Sequence, residues 1–317
     1  MKASVIVLSW NGMEYLGDCL DAVLSQDCHD FEVIVVDNGS SDGSADFVGQ
    51  QYPQVRLIRN ARNLGFAGGN NVGLRAATGD VLILLNQDTV VQSGWLEALI
   101  EAFDESGTGV VGCKILYPDG KTIQHAGGYF DWPIGLAFHY GCDEEDRGQY
   151  EHPREVEYVT AAAMGIRRSV LREVGYLDET FFPGYFEDLD FCRRVQGAGY
   201  RVLYRPEASV IHHESRSFAQ TLRSKPYTVF QGRFRFIFKH HTPEQIVGEF
   251  ILFQLSRLPQ MGGIELRALV LSCVDALLMW PSIASRRELD HHLTDWVIQE
   301  MRDLMDQAVL QERQTFG

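Results

Sequence analysis

The sequence lacks several patterns that define common protein classes. Its six cysteines are scattered without a C-x-x-C pair, so we expect reduced thiols rather than a zinc or disulfide framework. No apolar run reaches the ~18 residues that span a bilayer, and the longest, Ala268 to Trp280, contains Asp275. The N-terminus lacks the long apolar stretch and cleavage site of a signal peptide. These absences together predict a cytoplasmic protein.

Two nucleotide-binding signatures are also missing. The first apolar, strand-like run, Ser4–Leu8, is followed by Ser9-Trp10-Asn11-Gly12 and not by the G-x-G-x-x-G that a dinucleotide pyrophosphate needs. This argues against a dehydrogenase. A sugar-nucleotidyl transferase would have a basic glycine-rich loop for a triphosphate near the N-terminus, and the sequence has none.

Charge is distributed unevenly along the chain. Residues 1–215 hold 16 Lys and Arg against 32 Asp and Glu, whereas residues 216–317 hold 12 against 11. Such an acidic body makes nucleic-acid binding improbable. The segment from Ser215 to Pro243 contains no acid at all, although it has six basic residues and six aromatic ones.

Strand and helix patterns alternate in the first two thirds of the chain. Apolar runs at Phe31–Val36, Val55–Ile58 and Val81–Leu85 predict strands, and helical spacing lies between them. This order predicts an α/β domain with a mainly parallel sheet flanked by helices, which binds ligands at the carboxyl ends of its strands. From about residue 117 to 158 the alternation of strand and helix patterns weakens, which favours loops or a mobile cover over the ligand site.

Two polar segments after the predicted strands are candidates for a nucleotide site. The turn from Asp37 and Asn38 to Ser44 would let Asp37 accept hydrogen bonds from a base or ribose, or it is simply a glycine-rich turn with a helix cap. Asn63 to Gly73 is rich in glycine, and Asn70 or Asn71 at a helix start would hold ribose or phosphate oxygens. The alternative is tight packing of a helix on the sheet.

A second pair of segments suggests a metal and phosphate site. Asn86-Gln87-Asp88 follows the most apolar strand, and its two outer side chains point to the same side of an extended backbone. His212-His213 follows another strand-like run and would add an imidazole ligand, with Arg216 and Ser217 beside it to hold a phosphate. An Asx turn and a structural histidine pair are the plain alternatives.

The most informative segment runs from Phe181 to Arg194. It places Glu187, Asp188 and Asp190 within four residues, among aromatic side chains and just before two arginines. Crowded acids repel one another and aromatic neighbours make ionisation costlier, so one carboxyl group is expected to have the raised pKa of a general base. A solvated helix face would have the same composition.

In this order, these segments resemble the family 2 glycosyltransferases with a GT-A fold, and within them the rhamnosyltransferase-like branch. The resemblance runs from about Ser4 to Ser217 and implies a Rossmann-like GT-A domain over residues 1–217, with a helical region over 218–317. It implies that Asp188 is the catalytic base, with Glu187 beside it, and that Asp190 and Tyr185 orient the acceptor. Donor contacts are implied for Ser9, Asn11, Asp37, Asn38, Gly65, Asn70, Asn71, Asn86, Arg216 and Ser217.

The same resemblance implies a cofactor and a reaction. Asp88 takes the position of the family's D-x-D acid and would bind Mn²⁺ or Mg²⁺ together with His212. Asn86 stands where the first acid of that motif usually lies. The implied reaction is inverting transfer of a sugar from dTDP-rhamnose or a UDP-hexose to a glycan or polyprenyl-linked acceptor in cell-surface polysaccharide synthesis. A non-catalytic nucleotide-sugar or glycan-binding protein on this fold is the alternative, although such a protein would often have lost the Glu-Asp pair or Asp88.

The acid-free segment has two interpretations. An amphipathic helix would dock its aromatic side chains on the catalytic domain and balance that domain's charge. Alternatively, residues 218–280 would form a peripheral membrane contact for anionic lipid head groups or a polyprenyl diphosphate at the inner face of the plasma membrane. The apolar helix predicted at Ile264–Trp280 would equally serve as the contact of a homodimer.

Overall fold

The computed structural model of the chain describes residues 1–28, 30–132, 134–213 and 225–316. The chain divides into two compact units. The first comprises Met1–Tyr129 and Ala137–Ser217, and the second comprises Phe130–Leu136 and Phe218–Gly317. The short segment Phe130–Leu136 therefore belongs to the second unit, although it lies far from the rest of that unit in sequence.

The first unit is built on a ten-stranded sheet with the order β10-β12-β6-β11-β4-β1-β2-β3, in which β5 pairs with β12 and β7 with β6. Strands β1, β2, β3 and β4 run parallel, β6 and β12 run parallel, and β11 lies antiparallel between β4 and β6. The predicted mixed, mainly parallel sheet is confirmed. The strands of the sheet are β1 (Ala3–Ser9), β2 (Phe31–Asp37), β3 (Arg56–Arg59), β4 (Val81–Asn86), β5 (Thr89–Val91), β6 (Thr108–Leu116), β7 (Ile123–His125), β10 (Arg154–Glu155), β11 (Ala163–Arg167) and β12 (Arg201–His212).

Helices connect these strands, and a separate hairpin joins β8 (Gly128–Asp131) to β9 (Leu136–His139). The helices of the first unit are α1 (Leu16–Leu24), α2 (Ser44–Gln51), α3 (Gly65–Ala76), α4 (Trp95–Glu101), α5 (Arg168–Val174) and α6 (Glu187–Gly197), with a 3₁₀ turn at Ala102–Asp104.

The core of the first unit forms because alternate side chains of each strand point to opposite faces of the sheet. Val5 and Val7 of β1 pack with Leu16 and Leu20 of α1 on one face. The residue between them, Ile6, points to the other face and meets α3. All five side chains are fully buried, so helices cover both faces and leave the strand ends as the place for a ligand.

Helix α3 begins earlier than the sequence predicted. The glycine-rich pattern suggested a helix from Asn71, with Asn70 or Asn71 at its start, but the helix begins at Gly65 and both asparagines lie inside it. That expectation was wrong because glycine lowers intrinsic helix propensity, while packing against the sheet stabilises the helix here.

The glycines of α3 allow this packing. A Cβ atom on Gly69 would lie 2.4 Å from Leu8 Cδ1, and one on Gly73 would lie 2.3 Å from Ile6 Cγ2. At these two positions the structure supports the plainer interpretation of the glycine-rich segment, close approach of a helix to the sheet.

The segment that lost its periodicity, residues 117–158, contains β7 to β10 and is tied to the sheet. The buried Lys114 of β6 forms ion pairs with Asp146, at 2.9 Å, and with Glu151. Arg154 lies over the ring of Tyr140, 3.9 Å from its centroid. These strands could not be predicted from the sequence because each is only two to four residues long.

The second unit is helical. Its elements are α7 (Lys225–His240), α8 (Pro243–Gln245), a π-helical segment (Ile246–Ile251), α9 (Leu252–Arg257), a 3₁₀ turn (Leu258–Gln260), α10 (Gly263–Arg286) and α11 (His291–Phe316). Helix α10 packs against α7 and α11. It is long and apolar enough to cross a membrane, with 39% of its most apolar 18-residue window buried inside the protein, which by itself is weak evidence for a span.

In the described part of the acid-free segment, residues 225–243, aromatic side chains of α7 are buried. Phe234, Phe236 and Phe238 of α7 are fully buried. Phe234 packs on Phe250 and Phe238 on Trp280, with centroid distances of 4.8 and 5.3 Å. These aromatic side chains thus pack on other aromatic side chains of the helical unit.

Candidate functional site

The register of the sheet brings three predicted residues to one edge. Ser9 at the end of β1 lies opposite Asp37 at the end of β2, and Leu8 lies opposite Asn86 at the end of β4. Carboxyl ends of parallel strands meet at the same edge of a sheet, so the strand-end segments converge as the sequence predicted.

The loop after β1 is fixed by its neighbours. The Trp10 amide donates to Gln87 Oε1 at 2.9 Å, and Gln87 Nε2 donates back to the Trp10 carbonyl at 3.2 Å. Asn11, at φ 49°, accepts from the Ser41 amide at 2.9 Å through Oδ1. Asn11 therefore links the loops after β1 and β2.

Three buried oxygens near these strand ends have no hydrogen-bond partner within the described residues. They are Ser9 Oγ, Asp37 Oδ1 and Asn70 Oδ1. These side chains are 1%, 4% and 1% exposed. A buried polar atom without a partner costs free energy, so such atoms mark places where a ligand can supply the missing hydrogen bond.

Two other predicted asparagines have used their hydrogen-bonding capacity. Asn38 donates to Asn63 Oδ1 and the Gly65 carbonyl, and it accepts from Asn60 and the Leu64 amide. An amide offers two donor hydrogens and one oxygen with two lone pairs, so this side chain is saturated.

Asn71 is engaged in a similar way. It donates to the Leu177 carbonyl and to Glu179, both at 2.9 Å, and it accepts from the Leu177 amide at 3.1 Å. Asn38 and Asn71 thus shape the loops around the site, and of the two adjacent asparagines in α3, Asn70 has the unpartnered oxygen.

Gly65 has a structural requirement of its own. Its φ is +75°, and an added Cβ would lie 2.7 Å from the Phe182 ring and 3.1 Å from the Pro183 carbonyl. The Phe66 amide donates to that carbonyl at 2.8 Å. The start of α3 therefore contacts the segment that leads into α6.

The predicted metal residues lie together. His212 Nε2 is 3.3 Å from Asp88 Oδ1 and 3.5 Å from the amide nitrogen of Asn86. His212 Nδ1 is 2.7 Å from Gln124 Oε1, so Nδ1 carries the hydrogen and Nε2 presents its lone pair toward Asp88. Arg216 and Ser217, predicted beside them, lie outside the described residues.

Gln124 was missed from the sequence. It lies in β7, inside the segment without periodicity, and its role depends on the pairing of β7 with β6. Within the part of the chain that the structure describes, no three His, Cys, Asp or Glu side chains cluster for a metal ion. A cation at Asp88 and His212 would need further oxygens from a ligand or water.

The three acids of the motif have different environments at the start of α6. Glu187 is 5% exposed, and burial together with repulsion from Asp188 raises its pKa well above the ordinary value. Its Oε2 has no hydrogen-bond partner among the described residues.

Asp188 is half-buried and is held by backbone. Its Oδ2 accepts from the Ala161 amide at 3.2 Å, and its Oδ1 accepts from the Leu189 amide at 2.8 Å. Burial raises its pKa, although these hydrogen bonds and the neighbouring His139 oppose the rise. A fixed carboxylate with raised proton affinity has the properties of a general base.

Asp190 differs from both. Its side chain is fully buried and forms an ion pair with Arg194, 2.9 Å away and one helical turn along. Arg194 also donates to the carbonyls of Val174 and Tyr176. Asp190 was predicted to orient the acceptor; its carboxylate is completely buried and pairs with Arg194, which joins α6 to the end of α5 and the loop after it.

The residues that lead into α6 have an unusual backbone. Tyr185 and Phe186 have φ values of 77° and 73°, a left-handed conformation that non-glycine residues adopt rarely and often at functional sites. Tyr185, predicted to orient the acceptor, is half-buried and is the first residue of this turn.

A chain of aromatic and imidazole groups adjoins Asp188. His125 is fully buried, and burial lowers its pKa well below the ordinary value, so the ring is neutral. Its Nε2 accepts from the Thr160 amide at 3.4 Å, and its Nδ1 is 2.8 Å from His139 Nδ1. The Tyr158 ring lies 5.7 Å from that of His139. The sequence did not single out these residues, since β7 and β9 carry no recognisable pattern.

The sequence of the first unit matches a known protein family. A family model described as glycosyl transferase family 2 matches residues 4–175, more than half of the chain. The chain belongs to glycosyl transferase family 2. The matched segment contains the strand-end residues of the site and Asp88, and it ends before α6.

Curated relatives match between about half and two thirds of this chain, and the chain spans less than half the length of the first of them. The N-acetylglucosaminyl-diphospho-decaprenol L-rhamnosyltransferase of Mycobacterium tuberculosis is 30% identical over 58% of this chain and 67% of its own length. The O-antigen biosynthesis protein RfbC of Myxococcus xanthus is 31% identical over 68% of this chain. The alignment spans only 18% of that relative's length, so this chain corresponds to a small part of it.

Solved structures confirm the predicted GT-A fold. S. aureus TarS residues 1–349 in complex with UDP-GlcNAc has a TM-score of 0.57 at 17% identity, over 98% of this chain and 92% of that one. The mannosyltransferase PcManGT of Pyrobaculum calidifontis, in complex with GDP-Man and Mn²⁺, has a TM-score of 0.54 at 17% identity, over 100% and 88%.

Proposed function

We propose that this glycosyltransferase moves a sugar from a nucleoside diphosphate donor to a hydroxyl group, with inversion at the anomeric carbon. Asp188 removes the proton of the acceptor hydroxyl, whose oxygen attacks the anomeric carbon as the nucleoside diphosphate leaves. The observation that carries this proposal is the Asp188 carboxylate, held by two backbone amides with burial raising its pKa.

The donor is proposed to bind at the strand ends of β1 and β2. Asp37 Oδ1 would accept from the base or ribose, and Ser9 and Asn70 would complete the nucleoside contacts, since these buried atoms have no partner within the described residues. dTDP-rhamnose is our first choice of sugar donor, with UDP-hexoses next. The rhamnosyltransferase relative supports the first, and the TarS complex with UDP-GlcNAc supports the second only through its fold.

Asp88 and His212 are proposed to hold Mn²⁺ or Mg²⁺. Their donor atoms are 3.3 Å apart, which suits neighbouring ligands on one ion with bonds of roughly 2.0–2.2 Å. The Gln124 contact also leaves the correct ring nitrogen of His212 available. When bound, the cation would offset the negative charge that develops on the departing diphosphate.

The acceptor is proposed to be a glycan or a polyprenyl-linked sugar in polysaccharide synthesis. The name of the M. tuberculosis relative includes a diphospho-decaprenol acceptor, and RfbC is named for O-antigen biosynthesis. A cytoplasmic location, peripheral to the membrane, remains a prediction, and so does a homodimer.

A donor panel tests the proposal. Nucleoside diphosphate release is measured from dTDP-, UDP- and GDP-sugars with Mn²⁺, Mg²⁺ or EDTA, with a lipid extract as acceptor. We expect release from one donor class, metal stimulation, and a fall of about 10²–10⁴-fold in kcat for Asp188→Asn, because the variant keeps the shape and removes the base.

Asp303→Asn, an exposed aspartate of α11, serves as the matched control and should keep full activity. Near-normal turnover by Asp188→Asn would show that another group is the base. No release from any donor would favour the alternative, a non-catalytic binding protein on the same fold.

A further inference from the structure

The helical unit contains a pocket of about 240 Å³ that the proposed reaction does not use. Part of its wall is apolar and comes from Phe230, Phe253 and Leu136. Arg233, Gln254 and Arg257 also line it, so the pocket combines apolar and cationic surfaces. Its volume lies just below the ~300–1,000 Å³ of pockets that hold drug-sized ligands, so it suits a head group and a short length of chain.

Arg233 is a buried cation without a carboxylate partner among the described residues. Its guanidinium donates to the Ile134 carbonyl, whereas its Nε has no partner there. Burial and the charge of Arg257 lower its pKa to about 9, so it still carries its charge at neutral pH. A buried charge needs a counter-charge or dense hydrogen bonding to offset the cost of desolvation.

Gln254 repeats the pattern with a neutral side chain. It is fully buried, and neither its Oε1 nor its Nε2 has a hydrogen-bond partner in the part of the chain described. It lies in α9, directly after the π-helical segment, and such segments often occur at functional sites. A buried amide with both ends unsatisfied costs stability unless a ligand binds to it.

The charges around the pocket favour an anion. Arg257, at the exposed rim, adds a second positive charge. Glu265 supplies a carboxylate to the lining, but this group already accepts from the Gly262 amide at 3.0 Å at the start of α10. The lining therefore has two guanidinium groups and one carboxylate, an excess of one positive charge.

We propose that this pocket binds the phosphate head group of an amphiphile, a phosphate ester carried on an apolar chain. Arg233 and Arg257 contact the phosphate oxygens, Gln254 donates to the ester, and the first part of the chain lies on Phe230 and Phe253. The pocket contains none of the residues assigned to sugar transfer, so this proposal stands whether or not the polyprenyl-linked acceptor of the proposed function is correct.

The test is calorimetric titration of the full chain with dodecyl phosphate below its critical micelle concentration. Two reference ligands are titrated in parallel. Inorganic phosphate supplies the anion without an apolar chain, and dodecyl maltoside supplies the apolar chain without an anion. We expect saturable binding of dodecyl phosphate at one site, and at least tenfold weaker binding of both references. Equal binding of phosphate or of the maltoside would overturn the proposal, because the affinity would then come from the anionic group alone or from the apolar chain alone.

Three variants test the assignment. Arg257→Gln, on the exposed rim, should bind dodecyl phosphate about tenfold more weakly, the value of one hydrogen bond to a charged group. Gln254→Leu should also bind more weakly, while raising the Tm of the ligand-free protein because an unsatisfied amide is removed. Arg302→Gln, an exposed arginine of α11 outside the pocket, is the control and should bind normally. Unchanged affinity in both pocket variants would place the ligand elsewhere.

The source of the phosphate ester is separated in a further arm. Flotation with phosphatidylglycerol vesicles that is lost in Arg257→Gln assigns the pocket to a bilayer phospholipid. Unchanged flotation, together with weaker dodecyl phosphate binding, assigns it to a lipid phosphate taken up as a single molecule. Asp188→Asn should bind dodecyl phosphate like the wild type, so failure of the transferase proposal would leave this result standing.

Discussion

The start of α6 and the pocket of the helical unit both bury polar groups, but with opposite charge. Glu187 and Asp188 bring carboxyl groups out of water, whereas Arg233 and Gln254 bring in a cation and an amide. Among the described residues, one side chain at the start of α6, Glu187, has an atom without a hydrogen-bond partner, and two in the pocket do, Arg233 and Gln254. The acids at the start of α6 could be recognised because they are adjacent in sequence. The polar groups of the pocket come together only when α7 and α9 pack.

The largest expected effect concerns Asp190, the acid of the motif that forms an ion pair with an arginine. Asp190→Asn should lower the free energy of unfolding by about 3 kcal/mol, because a buried ion pair loses one member. Urea denaturation followed by circular dichroism measures this. Asp46→Asn, in the exposed pair with Arg59 at 2.8 Å, is the control, and it should cost less than about 1 kcal/mol. Equal small effects would mean that Asp190 has no special structural role.

A third buried polar group sharpens the comparison, since His212 has a partner on one ring nitrogen and presents the other. Gln124→Leu should weaken Mn²⁺ binding roughly 10–100-fold by freeing the imidazole to rotate or change tautomer. Electron paramagnetic resonance of free Mn²⁺ gives the affinity without any turnover. Gln124→Glu keeps an acceptor oxygen and should restore binding, and an unaltered affinity in Gln124→Leu would remove Gln124 from the metal site.

The smallest expected effect concerns Glu187. Its folded pKa lies above the ordinary 4.5, so its contribution to stability is present below that value and is lost as pH rises through the raised pKa. Wild-type unfolding free energy should therefore fall with pH more steeply than that of Glu187→Gln, by about 1 kcal/mol for each unit of raised pKa. Thermal unfolding at a series of pH values from 4 to 8 measures both slopes, and parallel curves would contradict a protonated Glu187.

Much of the fold and part of the site could be predicted from sequence, for physical reasons. Apolar runs predict strands because burial on both faces requires them, and polar residues after each run predict the ligand edge. Asp188 and Asp88 could be singled out because Glu187 and Asn86, the residues that mark their motifs, lie beside them in sequence. Asn38 and Asn71 looked equally suited to a ligand, but only the packed loops show that their amides are saturated.

The residues that were missed depend on contacts far apart in sequence. His139 adjoins Asp188 through the hairpin of β8 and β9, and Gln124 reaches His212 across 88 residues. Neither segment has a period that indicates its structure. The ion pair of Asp190 could not be singled out either, because three clustered acids look alike in sequence and only helical geometry pairs this one with Arg194.

The division of the hairpin has a consequence for recombination between family members. Phe130 packs on Phe236 with centroids 4.7 Å apart, and Trp132 packs on His241 at 5.2 Å. An exchange of the C-terminal region at residue 217 would separate these pairs, since Phe130–Leu136 would stay with the old parent. The helical unit is therefore encoded by two separate stretches of the gene. A chimera that keeps these contacts must exchange the seven residues Phe130–Leu136 together with the C-terminal region.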